Sequence, residues 1–188
     1  MKSLYLTAIV PDAELTDQIE EIRRECAECY NVKAALKPPV HITLFKPISV
    51  EFEREKELVR VLNEVSSKHQ PFTLSLENFD TFNNQVVFIK VLKTEPLGNL
   101  QKDISSVYHR RHLETEEIKS KKTFHPHITI AYRDIPRTTF PALWNEYKNK
   151  RFKRNFSVNG FILFKHNGHK WEVFEEFTLR KVDESLLF

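Results

Sequence analysis

Val40-His41-Ile42-Thr43-Leu44-Phe45 is a short pattern that the chain repeats as Pro126-His127-Ile128-Thr129-Ile130-Ala131. In both copies a histidine and a threonine alternate with two aliphatic residues. Successive side chains of a β-strand point to opposite faces, so each copy predicts a strand with one polar and one buried face. The repetition indicates that two strands bring matching polar side chains to one place.

The repeated residue types suit the transfer of a phosphodiester. Such a reaction needs one group to remove a proton from the attacking oxygen and another to protonate the leaving oxygen, and histidine can do either near neutral pH. Threonine hydroxyls are neutral donors that can hold the non-bridging phosphate oxygens. We therefore expect one catalytic site built from both motifs: His41, Thr43, His127 and Thr129.

Two other interpretations of the motifs stay open. A single histidine beside a threonine on a strand is more often a half-buried, hydrogen-bonded pair than a catalytic one. A metal site is the second alternative, since His125 and His127 share a face of the predicted strand. Neither motif has a nearby cysteine or carboxylate to complete a ligand set, so we predict neither a metal nor a cofactor.

The paired H-x-T-x motifs resemble the signature of the 2H phosphoesterase superfamily. Their context, Pro38-Pro39-Val40-His41 and Phe124-His125-Pro126-His127, is similar to that of the bacterial 2'-5' RNA ligase-like branch. The resemblance covers nearly the whole chain. It implies an α+β fold of two antiparallel-sheet lobes related by a pseudo-two-fold axis, with a cleft between the lobes and one motif in each. It also implies activity on 2',3'-cyclic phosphates or 2'-5' linkages, by hydrolysis or reversible ligation.

Length and composition fit one domain spanning residues 1–188. With 40% hydrophobic residues, a chain of this size can bury about 70% of the surface that it exposes when unfolded. The net charge of +3 is too small to require a nucleic-acid partner by itself. No apolar run approaches the roughly 18 residues of a membrane span, so we expect a cytoplasmic protein without membrane contact. The sequence indicates no protein partner, and we expect a monomer.

Apolar spacing predicts an alternating order of helices and strands. Helices are predicted at about 12–30, 50–67, from 96 onward and at 141–148; strands are predicted at 3–10, 72–76, 85–91, 123–132, 156–164 and 171–179, besides the first motif. Asn167-Gly168 favours a hairpin between the last two strands. The C-terminal half thus repeats the order helix, motif strand, helix, hairpin, which supports an internal duplication. The first strand is preferred to a signal peptide, because no small-residue cleavage pattern follows it.

The first helix contains both cysteines. Its apolar stripe is predicted to be Leu15, Ile19, Ile22, Cys26 and Cys29. The cysteines lie near the C-terminal end of the helix, where the helix dipole opposes a thiolate. We therefore interpret them as buried packing residues rather than a redox pair.

Further residues could extend the site toward a substrate. Lys46 and Arg133 closely follow their motifs and could supply positive charge for a phosphate. The segment from His109 to Lys122 is basic and is either a route for a phosphate-bearing substrate or a solvated loop. Aromatic residues that could stack on a base, or instead pack in the core, are Tyr5, Phe45, Phe88 and Phe124.

The competing function is a module that binds an RNA end or a nucleotide in the same cleft without turning it over. A binding module does not need two groups that titrate near neutral pH. The intact histidines and threonines of both motifs therefore favour an enzyme whose substrate is an RNA end or a cyclic-phosphate nucleotide. The sequence leaves open which histidine is the base and whether the enzyme hydrolyses or ligates.

Overall fold

The computed structural model describes residues 2–111 and 123–180, and in this part of the chain it contains two four-stranded sheets and four α-helices. The elements in chain order are β1 (Lys2–Ile9), α1 (Ala13–Tyr30), β2 (Ile42–Glu51), α2 (Glu55–Ser66), β3 (Phe72–Phe82), β4 (Val86–Val91), α3 (Glu95–Arg110), β5 (His127–Tyr132), α4 (Phe140–Tyr147), β6 (Lys153–Val158), β7 (Gly160–His166) and β8 (Trp171–Thr178). Short 3₁₀ helices occur at Ala34–Leu36 and Phe52–Arg54. None of the helices in these ranges is long and apolar enough to cross a membrane.

Each sheet has one motif strand at its edge. The strand order is β2-β1-β7-β8 in the first sheet and β5-β4-β3-β6 in the second, and all neighbouring strands are antiparallel. Strands from both ends of the chain build the first sheet, so the lobes are not the two halves of the sequence. The expected α+β fold with two antiparallel sheets and one motif in each is confirmed.

The two motifs have the predicted alternation of buried and accessible side chains. Ile42 and Leu44 are 0% and 2% exposed, and Ile128 and Ile130 are 0% and 1% exposed. The histidine and threonine of each motif are only half-buried. Each motif strand therefore places its aliphatic side chains in the hydrophobic core and its polar side chains on the opposite face.

The helices connect the two sheets by crossing over. Helix α1 follows β1 of the first sheet but packs against β5 of the second, whereas α3 follows β4 of the second sheet and packs against β2 of the first. A single core cluster contains residues of both sheets, including Ile9, Ile42, Ile89 and Ile128. This crossing supports our expectation of one domain with two lobes, which we keep as a proposal.

Helix α1 has a rotated apolar stripe compared with the sequence prediction. It begins after Asp12, whose side chain accepts a hydrogen bond of 2.9 Å from the backbone N of Leu15. Its buried residues are Leu15, Ile19, Arg23, Cys26 and Ala27. Cys26 is buried as predicted, but the prediction for Cys29 is wrong, because Cys29 is exposed. Arg23 lies within the buried stripe, and the neighbouring Ile22 is partly buried and packs against the core.

Some predicted element boundaries are wrong. Strand β2 runs to Glu51, so the helix predicted from residue 50 begins only at Glu55. The single strand predicted at 156–164 is two strands that belong to different sheets, β6 and β7. The chain crosses between the sheets just before Gly160, where a Cβ atom would lie 2.3 Å from a backbone carbonyl oxygen of β8. The predicted hairpin of β7 and β8 is confirmed, with Gly168 at a φ of +97° in its turn.

Candidate active site

A cleft of about 430 Å³ lies where the two motif strands approach each other. Three of the four predicted catalytic side chains line it: His41, Thr43 and Thr129. His127 lies beside this cleft, and its ring packs against Phe82 and Phe88 at centroid distances of 5.0 and 5.1 Å. The fold therefore brings the polar faces of both motifs to one location.

The two histidines are oriented by the same local contact. Nδ1 of His41 lies 2.7 Å from the carbonyl oxygen of Pro39, and Nδ1 of His127 lies 2.7 Å from the carbonyl oxygen of His125. A carbonyl oxygen can only accept a hydrogen bond, so Nδ1 carries the hydrogen in each neutral ring. Nε2 is then the nitrogen with a lone pair, and it is available for proton transfer in both motifs.

Burial favours the neutral form of both imidazoles. Desolvation lowers the pKa of His41 to about 4; the contact with the carbonyl of Pro39 opposes this, and the positive charges of Arg23 and His127 add to it. Desolvation also lowers the pKa of His127, the carbonyl of His125 opposes this, and the His125 ring adds to it. A bound phosphate anion would raise both pKa values, since it stabilises an imidazolium.

Lys46 and Arg133 were predicted to supply positive charge for a phosphate. Of these two residues, Arg133 lines the cleft. It has a φ of 65°, a left-handed backbone conformation that is rare for a large side chain. The adjacent Asp134 accepts hydrogen bonds of 2.7 and 2.8 Å from the backbone N atoms of Lys33 and Ala34. The turn after the second motif is thereby tied to the loop before the first, and the guanidinium of Arg133 lies 5.1 Å from the centroid of the Tyr132 ring.

Tyr5, Lys46, Phe88 and Phe124 are not among the residues that line this cleft, and their role in substrate binding stays a prediction. The Tyr5 side chain lies on the face of β1 opposite to the cleft, where its hydroxyl donates to Glu55. Phe88 is 1% exposed and stacks on another phenylalanine behind the histidine of the second motif. Lys46 is exposed on β2 beyond the motif, and Phe124 packs against the core. Phe45 is also a core residue, stacked on Tyr108.

The basic segment from His109 to Lys122 is described only as far as Arg111, and residues 112–122 lie outside the described residues. Arg111 approaches Glu57 to 3.9 Å, and its carbonyl oxygen accepts a hydrogen bond from Arg54. The described end of this segment therefore contacts the region of α2. Its role in substrate binding stays a prediction.

His125, the extra histidine before the second motif, precedes β5 and is exposed. Its ring contacts Phe82 at 5.0 Å, as the ring of His127 does. Within residues 2–111 and 123–180, no three His, Cys, Asp or Glu side chains gather in a possible metal site. The expectation of a site that works without a metal stays a prediction.

The cleft contains a buried cation that the sequence patterns did not predict. Arg23 of α1 lines the cleft and is 1% exposed. Its Nε donates to the carbonyl oxygen of Thr129 at 2.9 Å, and its Nη1 donates to the carbonyl oxygen of Pro38 at 3.2 Å. The helical spacing could have predicted this burial. Arg23 follows Ile19 by four residues and precedes Cys26 by three, so the three residues share one face of the helix.

The cleft also has an apolar wall that the sequence patterns did not predict. This wall is formed by Leu4 and Leu6, on the face of β1 opposite to Tyr5, and by His166 and Trp171. His166 and Trp171 flank the hairpin turn between β7 and β8. The rings of His166 and Trp171 are 5.1 Å apart in a T-shaped arrangement. Nδ1 of His166 accepts a hydrogen bond of 3.1 Å from the backbone N of the turn glycine. The cleft thus joins a polar region at the motifs to an apolar and aromatic region.

Two curled antiparallel sheets, each with an H-x-T-x strand beside a shared cleft, define the two-histidine class of phosphoesterases. Residues 11–170 match the family model described as the 2'-5' RNA ligase superfamily, and the chain belongs to that superfamily. A protein of Geobacillus sp. (strain WCH70) that carries the name phosphoesterase is 27% identical over 178 residues, which are 93% of this chain and 95% of that protein. A Bacillus cytotoxicus protein with the same name is 28% identical over 176 residues, which are 92% of this chain and 95% of that protein.

Solved structures share the fold. The crystal structure of E. coli LigT complexed with 3'-AMP has a TM-score of 0.71 at 21% identity, covering 96% of this chain and 100% of LigT. A crystal structure of a Thermus thermophilus protein has a TM-score of 0.71 at 22% identity, covering 95% of this chain and 99% of that one. The predicted resemblance and fold class are confirmed, and the chain is a protein of the 2H phosphoesterase and 2'-5' RNA ligase type.

Proposed function

We propose that this protein is a metal-independent phosphoesterase that acts on 2',3'-cyclic phosphates or 2'-5' phosphodiester linkages of RNA and nucleotides. His41 and His127 form its acid and base pair, and Thr43 and Thr129 hold the non-bridging oxygens. The observation that carries this proposal is the matched pair of imidazoles beside one cleft. Each has its Nδ1 on a backbone carbonyl and its Nε2 available for the substrate.

The reaction with a cyclic phosphate needs only these groups and water. One Nε2 removes a proton from water as the water oxygen bonds to phosphorus. The bond from phosphorus to one ribose oxygen breaks, and the second imidazole gives that oxygen its proton. The product is a phosphate monoester and a free ribose hydroxyl. In the ligation direction a ribose hydroxyl group replaces water as the nucleophile, and no nucleotide cofactor is consumed.

Charge on the phosphate is matched by the donors of the cleft. The threonine hydroxyls are neutral donors, and Arg133 adds a guanidinium at the cleft wall. Donors that are already in place stabilise the charge that develops on the non-bridging oxygens, because no reorganisation is needed during the reaction. The hydrogen bonds of Asp134 tie the turn that contains Arg133 to the loop before the first motif.

The apolar region of the cleft supports a nucleotide rather than a small phosphate ester. Leu4 and Leu6 offer a wall for a ribose, and Trp171 offers a half-exposed ring on which a base can stack. E. coli LigT has been crystallised with 3'-AMP, with ATP and with NADP+. We extend nucleotide binding to the present cleft on the basis of its aromatic lining. Cytoplasmic location, a monomeric state and the absence of a cofactor remain proposals from the sequence.

The proposal is tested with a substrate panel assayed in EDTA. The panel contains oligonucleotides with a 2',3'-cyclic phosphate end, 2'-5'-linked dinucleotides and 3'-5'-linked dinucleotides as controls. We expect turnover of the cyclic or 2'-5' substrates, and Thr43→Ala and Thr129→Ala should lower the rate without moving the pH profile, since a threonine hydroxyl does not titrate there. Loss of activity in EDTA with recovery on adding one divalent ion would contradict the mechanism. Tight binding of every substrate without turnover would instead support the non-catalytic module.

A further inference from the structure

His166 is a further histidine of the cleft, and its backbone contact is the opposite of the one that orients the motif histidines. Nδ1 of His166 lies 3.1 Å from the backbone N of Gly168. A backbone N–H can only donate, so this Nδ1 keeps its lone pair and the hydrogen of the neutral ring is on Nε2. In His41 and His127 a carbonyl oxygen places the hydrogen on Nδ1 instead. Neutral His166 therefore offers the cleft a hydrogen-bond donor and not a base.

The turn between β7 and β8 orders this donor. Oδ1 of Asn167 accepts hydrogen bonds of 2.9 and 3.0 Å from the backbone N atoms of His169 and Lys170. The backbone N of Asn167 donates to the carbonyl oxygen of Lys170 at 3.1 Å. The rings of His166 and Trp171 pack against each other across the base of this turn, with centroids 5.1 Å apart. Both rings therefore have defined positions at one end of the cleft.

The strand register separates His166 from the motif threonine of the same sheet. Thr43 is paired with Ala8 of β1, and His166 is paired with Leu4 of the same strand. Four residues of an extended strand span about 14 Å, and the two strand spacings from β2 to β7 add about 10 Å across the sheet. A phosphate held by Thr43 and Thr129 is thus too far away to contact His166 as well.

A ribose can bridge this separation. Its 2' and 3' oxygens lie on one side of the sugar ring, and its base and its 5' carbon are attached on the other side, at C1' and C4'. With the cyclic phosphate at the motifs and the sugar along Leu4 and Leu6, the base and the 5' oxygen both point toward His166 and Trp171. The proposed function gives the base to the ring of Trp171. The donor of His166 is then left for the group on the 5' oxygen.

The charge of the cleft suits a ligand with more than one phosphate. Two arginines and two histidines line the cleft, and no Asp or Glu does so within residues 2–111 and 123–180. The acidic residue nearest to Trp171 in sequence, Glu172, is exposed and forms an ion pair of 3.2 Å with Lys170. A phosphate beside His166 therefore meets a hydrogen-bond donor and no carboxylate from the cleft wall.

We propose that His166 is a specificity-determining residue whose Nε2–H donates to a phosphate on the 5' oxygen of the nucleotide that carries the cyclic phosphate. This inference rests on the proposed function and narrows its substrate class. The enzyme prefers RNA ends, in which that 5' phosphate joins the preceding nucleotide, and 5'-phosphorylated nucleotides. It acts less well on nucleoside cyclic phosphates that lack the 5' phosphate. His166 exchanges no proton in the reaction.

The kinetic test compares a nucleoside 2',3'-cyclic phosphate with the same compound phosphorylated on its 5' oxygen. A hydrogen bond to a charged group is worth about 10-fold to 100-fold in affinity, so wild-type kcat/KM should favour the 5'-phosphorylated compound by a ratio in this range. His166→Phe keeps a ring beside Trp171 but has no donor, and it should abolish the preference. His166→Gln has an amide N–H as many bonds from Cβ as Nε2 is, and it should keep most of the preference.

His169→Phe is the matched control, because His169 is exposed in the same turn and its hydrogen bond is made by its backbone N. It should keep the wild-type ratio. No preference in wild type, or a preference that His166→Phe retains, would overturn the inference. Equal losses on both compounds, or losses that follow the base and not the 5' phosphate, would overturn it too, since they would place the donor elsewhere.

Binding of product analogues separates this inference from the proposed function. Adenosine 3',5'-bisphosphate and adenosine 3'-monophosphate differ only in the 5' phosphate, and calorimetry measures their binding without turnover. Wild type should bind the bisphosphate about 10-fold to 100-fold more tightly, and His166→Phe should bind both equally. Equal binding by wild type would overturn the inference even if cyclic phosphates are hydrolysed. The expected difference in a protein without turnover would instead remove the proposed function and keep the contact.

A measurement on wild type alone decides the inference if the variants do not fold. NMR spectra that correlate ring nitrogens with ring protons, recorded at about pH 8 where histidine is neutral, distinguish the two tautomers. His166 should carry its hydrogen on Nε2, opposite to His41 and His127. Its Nε2 signal should shift with adenosine 3',5'-bisphosphate and not with the 3'-monophosphate. A hydrogen on Nδ1, or equal shifts with both ligands, would overturn the inference.

Discussion

The free enzyme should keep its activity at unusually low pH for a histidine pair. The pKa of His41 is lowered to about 4 from an ordinary value of 6.5. Each pKa unit corresponds to about 1.4 kcal/mol, so the site favours the neutral ring by about 3 kcal/mol. At pH 6 only about 1% of His41 is then protonated. The pKa of His127 is lowered as well, so the whole bell of kcat/KM should lie on the acidic side of 6.5.

The assay compares kcat/KM with kcat between pH 3.5 and 9. The profile of kcat/KM reports the free enzyme, and the profile of kcat reports the complex with substrate. A bound phosphate anion stabilises imidazolium, so the kcat profile should lie at higher pH than the kcat/KM profile. An acidic limb of kcat/KM at or above pH 6.5 would refute the reasoning, because burial would then not set the protonation of His41.

The same shift predicts a loss of stability in acid. The folded pKa of His41 is below its unfolded value, so the unfolded chain binds more protons between pH 6.5 and 4. Stability from this group is present above pH 6.5 and is lost as the pH falls toward 4, by up to about 3 kcal/mol. Urea unfolding across this range measures it. His41→Gln should show a smaller loss than wild type, and an equal loss would contradict the assignment.

Other substitutions test the site and the fold. His41→Ala and His127→Ala should each reduce turnover by about 10²-fold to 10⁴-fold. The fold-reduction in the double variant should be far smaller than the product of the two single fold-reductions, because the groups act as a unit. A double variant whose fold-reduction in kcat equals that product would argue against a pair. Trp171→Ala should raise KM for nucleotide substrates and leave it unchanged for a cyclic phosphate without a base; equal effects on both would remove the stacking role. Gly160→Ala should destabilise the fold by about 1–3 kcal/mol, since its Cβ would meet a backbone carbonyl at 2.3 Å. Gly98→Ala is the control, because its Cβ would have 3.8 Å to the nearest side chain; urea unfolding of both variants decides whether the close approach matters.

Local patterns were sufficient for the features that depend on neighbours in the chain. The alternation around His41 and His127 predicted the two motif strands and the faces that their side chains occupy, because the period of two is a property of any extended backbone. Asn167-Gly168 predicted the last hairpin for a similar reason, since the turn needs a residue that tolerates positive φ. The repeated motif also carried the resemblance to the superfamily, and that resemblance implied the fold class.

Long-range contacts were needed for the features that depend on distant partners. The register of β1 with its neighbouring strands decides whether Tyr5 or Leu6 faces the cleft. The sequence of β1 alone does not distinguish its two faces. Helical spacing predicted Cys29 on the buried stripe of α1 and did not include Arg23, because the predicted stripe was made of apolar residues and cysteines alone. Arg23 is buried instead, since Thr129 and Pro38, far away in sequence, supply carbonyl oxygens for its donors. Periodicity alone determines which residues share a face, whereas the tertiary partners determine which charged side chain can be buried there.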